Sequence, residues 1–171
     1  IETRIVGPTL GKDSIDRSKL AGFVAFALIV IFMVMYYRLP GLLADIALVI
    51  YVLIVMALLC LIHVTLTLPG IAGFLLSIGM AVDTNIIIFE RFKEELRSKK
   101  SLRLAIDTSF HRAWAAILDS HVTALIGAGA LFLVGTGTIR GFSVTLAIGV
   151  AASMFTAITI TRMLLEMAVD A

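Results

Sequence analysis

The sequence has few of the residues that build disulfides, metal sites or catalytic centres. Cys60 is its only cysteine, which excludes an intrachain disulfide and a site made of several thiolates. The three histidines, His63, His111 and His121, stand on different segments, so no paired-histidine metal spacing occurs. A phosphate-binding glycine loop and a Ser-His-Asp order are also missing. We therefore predict no catalytic residue, no metal and no cofactor, so any work must draw on a gradient or on another protein.

Charge is also scarce. Only 15% of the residues are charged and the net charge is +2, a balance that does not suggest nucleic-acid binding. By contrast, 60% of the residues are hydrophobic and the mean hydropathy is +1.07. A soluble domain of 171 residues could not cover that much apolar surface. The composition predicts an integral membrane protein in contact with lipid.

Apolar segments of the right length for membrane helices follow one another along the chain. A helix needs about 20 residues to cross about 30 Å of hydrocarbon. Five segments meet this length, at about residues 20–37, 42–62, 70–89, 113–134 and 141–161. Length alone also fits buried helices of a soluble protein, but five such segments with so few polar residues disfavour that reading. We predict an all-α, five-helix transmembrane bundle over residues 19–171.

The distribution of basic residues predicts how the bundle is oriented. The loop at about 90–112 is rich in them, whereas the loops around 63–67 and 135–140 carry only Arg140. Because cytoplasmic loops carry the excess of Lys and Arg, this basic loop and the C-terminus should be cytoplasmic and residues 1–18 outside. Basic residues within 1–18 argue weakly against this, but they matter less in a translocated domain.

Two segments outside the spans have a character of their own. Residues 1–18 are polar and turn-rich without the features of a signal peptide, and we expect them to be the end of a truncated periplasmic region. In the basic loop, Ser101 is positioned to cap an amphipathic helix. That helix is either a solvated surface helix or a docking surface for a partner.

A carboxylate within the third span is the strongest functional signal. Asp83 lies in the apolar run from 70 to 89, where an ionised group costs about 2.5–3.5 kcal/mol on insertion scales. It precedes Glu90 by seven residues, which puts it about 10 Å inside the cytoplasmic boundary. Intramembrane carboxylates usually serve an ion or proton path, although a purely structural role is the alternative.

Other polar residues are predicted to lie at the same depth. Asp119 and Thr123 are one turn apart on the fourth span, and Thr156 is on the fifth. We predict that they and Asp83 form one proton-path cluster. Asp119 would otherwise face a loop, and the threonines would bond their own helix backbones. His121 points roughly opposite Asp119 and is predicted to pack rather than to carry a proton.

Small residues indicate where the helices touch, because they let backbones approach closely. They recur in the third, fourth and fifth spans, which predicts a close-packed trio with Asp83 inside it. The predicted packing residues are Gly73, Gly79, Gly127, Gly149 and Ser153. The alternative is that small residues are simply common in membrane helices.

Three separated motifs resemble those of a known family, in the right order. They are Gly79-Met-Ala-Val-Asp-Thr-Asn-Ile-Ile-Ile-Phe-Glu-Arg91, Ile117-Leu-Asp-Ser-His-Val-Thr-Ala-Leu-Ile126 and Gly135-Thr-Gly-Thr-Ile-Arg-Gly-Phe-Ser-Val-Thr-Leu146. The family is the SecD/SecF group of bacterial protein-export membrane proteins, in the RND superfamily, and the motifs resemble its SecD side. The resemblance covers essentially the whole chain.

The resemblance implies more than the residues show. It implies helices two to six of six, forming half of an RND-type pseudo-symmetric unit in the bacterial inner membrane. Such a protein pairs with SecF and assists the SecYEG translocon, using the proton gradient in late steps of export. Unfolded preprotein would meet the missing periplasmic region. The family's proton-path aspartate corresponds to Asp83.

Two positions depart from the family pattern. The family more often has Ala at Thr84 and Asn at His121, and the second departure adds an ionisable group beside the predicted path. Two alternatives from other classes remain at this point. One is an RND-type proton-coupled exporter of small molecules, and the other is a non-energised membrane assembly scaffold.

Overall fold

The computed structural model describes residues 8–170, with side chains from residue 13 to residue 169. The described residues form helices and no strand. The elements are α1 (Pro8–Tyr37), α2 (Leu39–Leu61), α3 (Leu68–Arg97), α4 (Leu102–Val134), α5 (Gly137–Phe155), a π-helical segment (Thr156–Thr161) and α6 (Arg162–Asp170). Within the described residues, five helical stretches are long and apolar enough to cross a membrane, the last running through α5 and on to Val169. The predicted all-α fold with five apolar helices is therefore confirmed.

The helices reach further than the apolar segments that predicted them. The basic loop is almost entirely helical, since only residues 98–101 separate α3 from α4. Ser101 occupies the N-cap position of α4 as expected, but its side chain makes no capping hydrogen bond. Residues 8–18, expected to be turn-rich, belong to α1 instead, where Arg17 and Asp13 pair at 3.0 Å across one turn. Residues 1–7 lie outside the described part of the chain.

Local chemistry explains where the helices break. Arg38 has a φ of 54° and separates α1 from α2. Pro40 and Pro69 each stand in the first turn of a helix, where the missing N–H costs no hydrogen bond. At the start of α3 the side chain of Thr67 accepts a hydrogen bond of 3.2 Å from the Gly70 N–H.

The centre of the bundle is the contact of α3 with α5, and two glycines permit it. A Cβ atom at Gly149 would stand 2.2 Å from Ser77 Oγ, and one at Gly73 would stand 2.7 Å from Thr145 Oγ1. The two backbones therefore approach as closely as small residues allow. Tyr51 of α2 is fully buried against this contact and donates a 2.7 Å hydrogen bond to Ser77 Oγ. Tyr51 thus joins α2 to the contact between α3 and α5.

Ion pairs fasten the ends of α3 and α4 where both project beyond the apolar segments. Glu95 is buried and pairs with Lys100 in the connection and with Arg112 of α4, the latter at 2.8 Å. Arg162, at the start of α6, reaches Asp107 of α4 at 3.0 Å. The α3–α4 hairpin is therefore held at its tip and tied to the last helix.

The π-helical segment interrupts the final membrane stretch at the level of the third helix's polar residues. Thr161 donates a buried hydrogen bond of 3.0 Å to Asn85 Oδ1 of α3. π-helical turns inside α-helices are rare and frequent at functional sites. Its hydrogen-bond partner on α3, Asn85, follows Asp83, the predicted proton-path carboxylate, by two residues.

Candidate proton-path site

Asp83 lies on the outer surface of this chain, not inside the helical trio. Its neighbours Val82 and Thr84 are buried, whereas Asp83 itself is exposed. Thr84 turns its hydroxyl to the Met80 carbonyl at 2.9 Å. No side chain in the described part of the chain pairs with the Asp83 carboxylate. The expectation that the trio encloses Asp83 is therefore wrong for this chain alone, because the buried face of α3 is the one turned to α5.

A small cavity connects Asp83 with α4. It has a volume of about 70 Å³, more than the roughly 10–15 Å³ that one water needs on the same measure. Its lining residues are Met80, Asp83, Thr84 and Ile87 of α3 and Ser120 and His121 of α4. Asp119 and Thr123 do not line it. The structure thus brings Asp83 together with His121 rather than with the predicted partner carboxylate.

His121 occupies the interface of α4 with α5. Only 1% of the residue is exposed. Its Nδ1 lies 2.8 Å from the Ile117 carbonyl oxygen, and its Nε2 lies 2.9 Å from Ser153 Oγ. The predicted packing role therefore agrees with its position. Ser153, predicted as a packing residue, also supplies a hydrogen-bond partner across the interface.

Asp119 and Thr123 lie on the outward side of α4. Both are exposed, and Thr123 Oγ1 donates 2.8 Å to the Asp119 carbonyl oxygen, the local bond that the alternative reading anticipated. Gly127 follows one turn later, and on α3 Gly79 precedes Asp83 by one turn. A Cβ at either glycine would meet no atom within 4 Å. We call these five residues, Gly79, Asp83, Asp119, Thr123 and Gly127, the carboxylate face.

Thr156 does not line the Asp83 cavity and belongs to a second layer of polar residues in the interior. It is buried and donates 2.9 Å to the Ala152 carbonyl oxygen. A second void there, too small to hold a water molecule, is lined by Ala47, Leu48, Tyr51, Ala81, Asn85, Ser153, Thr156 and Ala157. The four predicted proton-path residues are therefore divided between the outer surface and the interior. Ser153 stands between the two layers, because it lines this inner cavity and also touches His121.

No further chemistry is visible in the described part of the chain. Among those residues, no group of three His, Cys, Asp or Glu side chains is arranged to hold a metal ion. Cys60 is exposed and unpaired by any disulfide. Asp45 of α2 has both carboxylate oxygens buried without a hydrogen-bond partner among the described residues.

Comparison with known proteins then identifies the chain. Residues 1–170 match the family model described as the C-terminal part of the protein export membrane proteins SecD and SecF. The chain belongs to the SecD/SecF family. It is 56% identical over 165 residues to a protein translocase subunit SecD from Synechocystis sp., covering 96% of this chain. A subunit of the same name from Acidaminococcus fermentans is 54% identical over 165 residues, again covering 96% of this chain.

A solved SecDF structure has the same fold. The crystal structure of SecDF from Thermus thermophilus, described as a translocon-associated membrane protein, superposes with a TM-score of 0.94 at 42% identity and covers 96% of this chain. The chain spans 35% and 40% of the two SecD relatives and 23% of that SecDF chain. Together with its five apolar helices, this makes it part of a multi-pass membrane protein of the SecD/SecF family.

Sequence reasoning missed several polar residues that the fold of this SecD/SecF member brings together. Asn85 and Thr161 meet in the interior, as do Tyr51 and Ser77. Their sequence positions gave one weak signal, since Asn85 follows Asp83 by two residues and must face the opposite side of α3. The partners themselves are 76 and 26 residues apart in the chain, so no local pattern links them.

Proposed function

We propose that this chain is the membrane part of an auxiliary subunit of the Sec protein-export machinery. In this proposal it works with SecF and uses the proton gradient to promote late steps of polypeptide translocation through SecYEG. It acts as a translocation factor and not as an enzyme. Support comes from the relatives named protein translocase subunit SecD and from the solved SecDF, a translocon-associated protein.

The observation that carries this proposal is the carboxylate face. Asp83 and Asp119 are both exposed on helices that are apolar enough to cross a membrane. Each ionised carboxylate costs about 2.5–3.5 kcal/mol in a lipid environment, and such residues normally face a bundle interior or a water-filled path. The exposed glycines beside them would let another helix approach closely. A partner bundle that covers this face is the natural solution, and we propose that the partner is SecF.

The chemistry of the face suits proton coupling. A carboxyl group that is reached from one side in one state and from the other side in a second state takes up and releases one proton per cycle. Proton flow is then tied to the exchange between the two states, because each state has its own affinity for the proton. In the proposed complex, the periplasmic region attached before α1 would move with this exchange and act on the emerging polypeptide.

Crosslinking from the carboxylate face tests the pairing. In a full-length protein with Cys60→Ala, we expect Gly79→Cys and Gly127→Cys to crosslink to SecF in native membranes, since a Cβ at either position meets no atom of the described residues within 4 Å. Phe23→Cys is the matched control, because Phe23 is 72% exposed on α1 and does not belong to the carboxylate face. Crosslinks to lipid alone from both glycine positions, or equal SecF yields from Phe23→Cys, contradict the proposed interface.

Orientation in the bacterial inner membrane is tested in the full-length protein in which Cys60 and any cysteine outside this chain are replaced by Ala. We expect Ser98→Cys to react with an impermeant thiol reagent only when the cytoplasmic side is open, and Thr136→Cys to react from outside. Both positions are exposed, in the connections that follow α3 and α4. The reason is the excess of basic residues in the α3–α4 hairpin. Reaction of Ser98→Cys from outside contradicts the proposed orientation and, with it, the proposed direction of proton flow.

A further inference from the structure

His121 is a titratable side chain whose two ring nitrogens both face oxygen atoms. The Ile117 carbonyl oxygen lies 2.8 Å from Nδ1 and Ser153 Oγ lies 2.9 Å from Nε2. The Ser120 hydroxyl also lies 3.3 Å from Nδ1, but it donates to the same Ile117 carbonyl oxygen at 2.9 Å. A carbonyl oxygen only accepts hydrogen bonds, so Nδ1 carries a hydrogen in every protonation state that keeps its 2.8 Å contact. The charge of the ring therefore depends on Nε2 and on which way the Ser153 hydroxyl points.

Ser153 accommodates both charge states without moving its oxygen. Its single hydroxyl hydrogen has two acceptors within reach, the Val150 carbonyl oxygen at 2.8 Å and His121 Nε2 at 2.9 Å. When the hydroxyl donates to Val150, Nε2 donates to Ser153 Oγ and the imidazole is a cation. When the hydroxyl turns to Nε2, that nitrogen is the acceptor and the ring is neutral. The two states differ by one proton on Nε2 and by the rotation of one hydroxyl.

A neighbouring carboxylate distinguishes this ring from an ordinary buried histidine. Such a histidine is usually neutral and serves only to pack, because an isolated buried charge is costly. Here α3 contributes Asp83 to the cavity of about 70 Å³ that His121 also lines, together with the hydroxyl of Thr84. From α5 the facing group is Ser153, and Asp119 of α4 itself points outward. Among the described residues that line this cavity with His121, Asp83 is the one carboxylate.

We propose that His121 is a second proton-carrying residue of this site, coupled to Asp83 across the shared cavity. The inference rests on the proposed proton-coupled function of Asp83 and adds a group to it. When Nε2 gives up its proton, Ser153 turns its hydroxyl hydrogen from Val150 to Nε2. One proton leaves the histidine and serine pair in that step, and the positive charge that faced Asp83 disappears.

Asn supplies a matched variant at this position. Its amide can donate and accept hydrogen bonds but cannot carry a proton at physiological pH. His121→Asn should therefore fold, while gradient-driven export loses one proton-carrying group. Histidine is the side chain that ordinarily changes charge between about pH 5 and 8. In that range the rate of translocation by wild type should show one titration step that His121→Asn lacks.

The experiment measures gradient-driven translocation as a function of pH in vesicles that contain the full-length protein with its partners. Wild type, His121→Asn and Asp83→Asn are compared at equal expression. Identical profiles for wild type and His121→Asn, with Asp83→Asn inactive, overturn the role of His121 and leave the proposed function standing. Full gradient-driven activity in Asp83→Asn overturns the proposed function itself and, with it, this inference.

A spectroscopic readout separates protonation from packing. In the purified full-length protein with ¹⁵N-labelled histidine, we expect the His121 ring signals to titrate and the midpoint to move in Asp83→Asn, because the counter-charge is lost. His63 and His111 are exposed, and their midpoints should not move. A His121 ring that keeps one tautomer over the whole range, or a midpoint unchanged by Asp83→Asn, refutes the coupling.

Discussion

Asp83→Asn is expected to reduce gradient-stimulated export to the level measured without a gradient. The amide keeps the size and hydrogen-bonding capacity of the carboxylate but cannot take up and release a proton. Because Asp83 is exposed and bonds to no side chain of the described residues, folding should be unaffected, and binding to SecF should persist. Translocation driven by ATP alone should continue. The measurement is preprotein transport into membrane vesicles with and without an imposed gradient.

Two further variants test whether the loss of export is specific to Asp83. Glu94→Gln removes an exposed carboxylate that pairs with Arg91 at 2.8 Å, and such pairs contribute about 0–1 kcal/mol, so export should stay at the wild-type level. Asp119→Asn should cause a partial loss if the whole carboxylate face is used. Wild-type stimulation in Asp83→Asn, at normal expression, would reduce Asp83 to a structural residue and favour an assembly scaffold.

Tyr51→Ala should have the largest effect on stability. Tyr51 is fully buried where α2 meets the α3–α5 contact, and a Cβ at Gly149 would stand 3.0 Å from its hydroxyl oxygen. Removing a buried aromatic ring leaves a cavity that typically costs about 3–5 kcal/mol. We expect a loss of this size in the free energy of unfolding, measured by titrating the detergent-solubilised full-length protein with a denaturing detergent.

Tyr51→Phe is the control, because it keeps the ring and removes only the hydroxyl. Ser77 retains its own 2.7 Å bond to the Phe74 carbonyl oxygen, so the cost should be about 0.5–1.5 kcal/mol, that of one hydrogen bond. If Tyr51→Ala and Tyr51→Phe lose equal stability, the ring does not hold the three helices together and the hydrogen bond does.

Hydrophobic patterning predicted the helical fold because membrane spans depend on length and apolar character, which are properties of contiguous residues. The same reasoning gave no helix at residues 8–18, whereas the helix predicted to begin after Ser101 in the basic loop is present and continues into the fourth span as α4. There, ion pairs such as Arg17 with Asp13 and the anchoring of Glu95 by Arg112 support helix outside the apolar segments. Contacts of that kind are not part of a hydropathy profile.

The sequence identified Asp83 as a carboxylate of an apolar helix but not the direction in which it faces. Its predicted depth in the membrane stays a prediction, and its predicted placement inside the trio was wrong. A polar stripe on a membrane helix indicates that some neighbour covers it, but not whether the neighbour belongs to the same chain. The partners of His121 were predictable only in part. Its bond to Ile117 is local, but Ser153 is 32 residues away in the chain, so no local pattern indicates that contact.

The unbroken length of α3 has a mechanical consequence. From Asp83 to its end at Arg97 the helix measures about 21 Å at about 1.5 Å per residue, without a break in the described structure. Glu95 clamps this end to α4 through Arg112, so the hairpin moves as one arm. A tilt of about 10° at Asp83 would displace its tip by about 4 Å. If proton binding at Asp83 tilts α3, residues 98–101 on the proposed cytoplasmic side are therefore displaced with the helix.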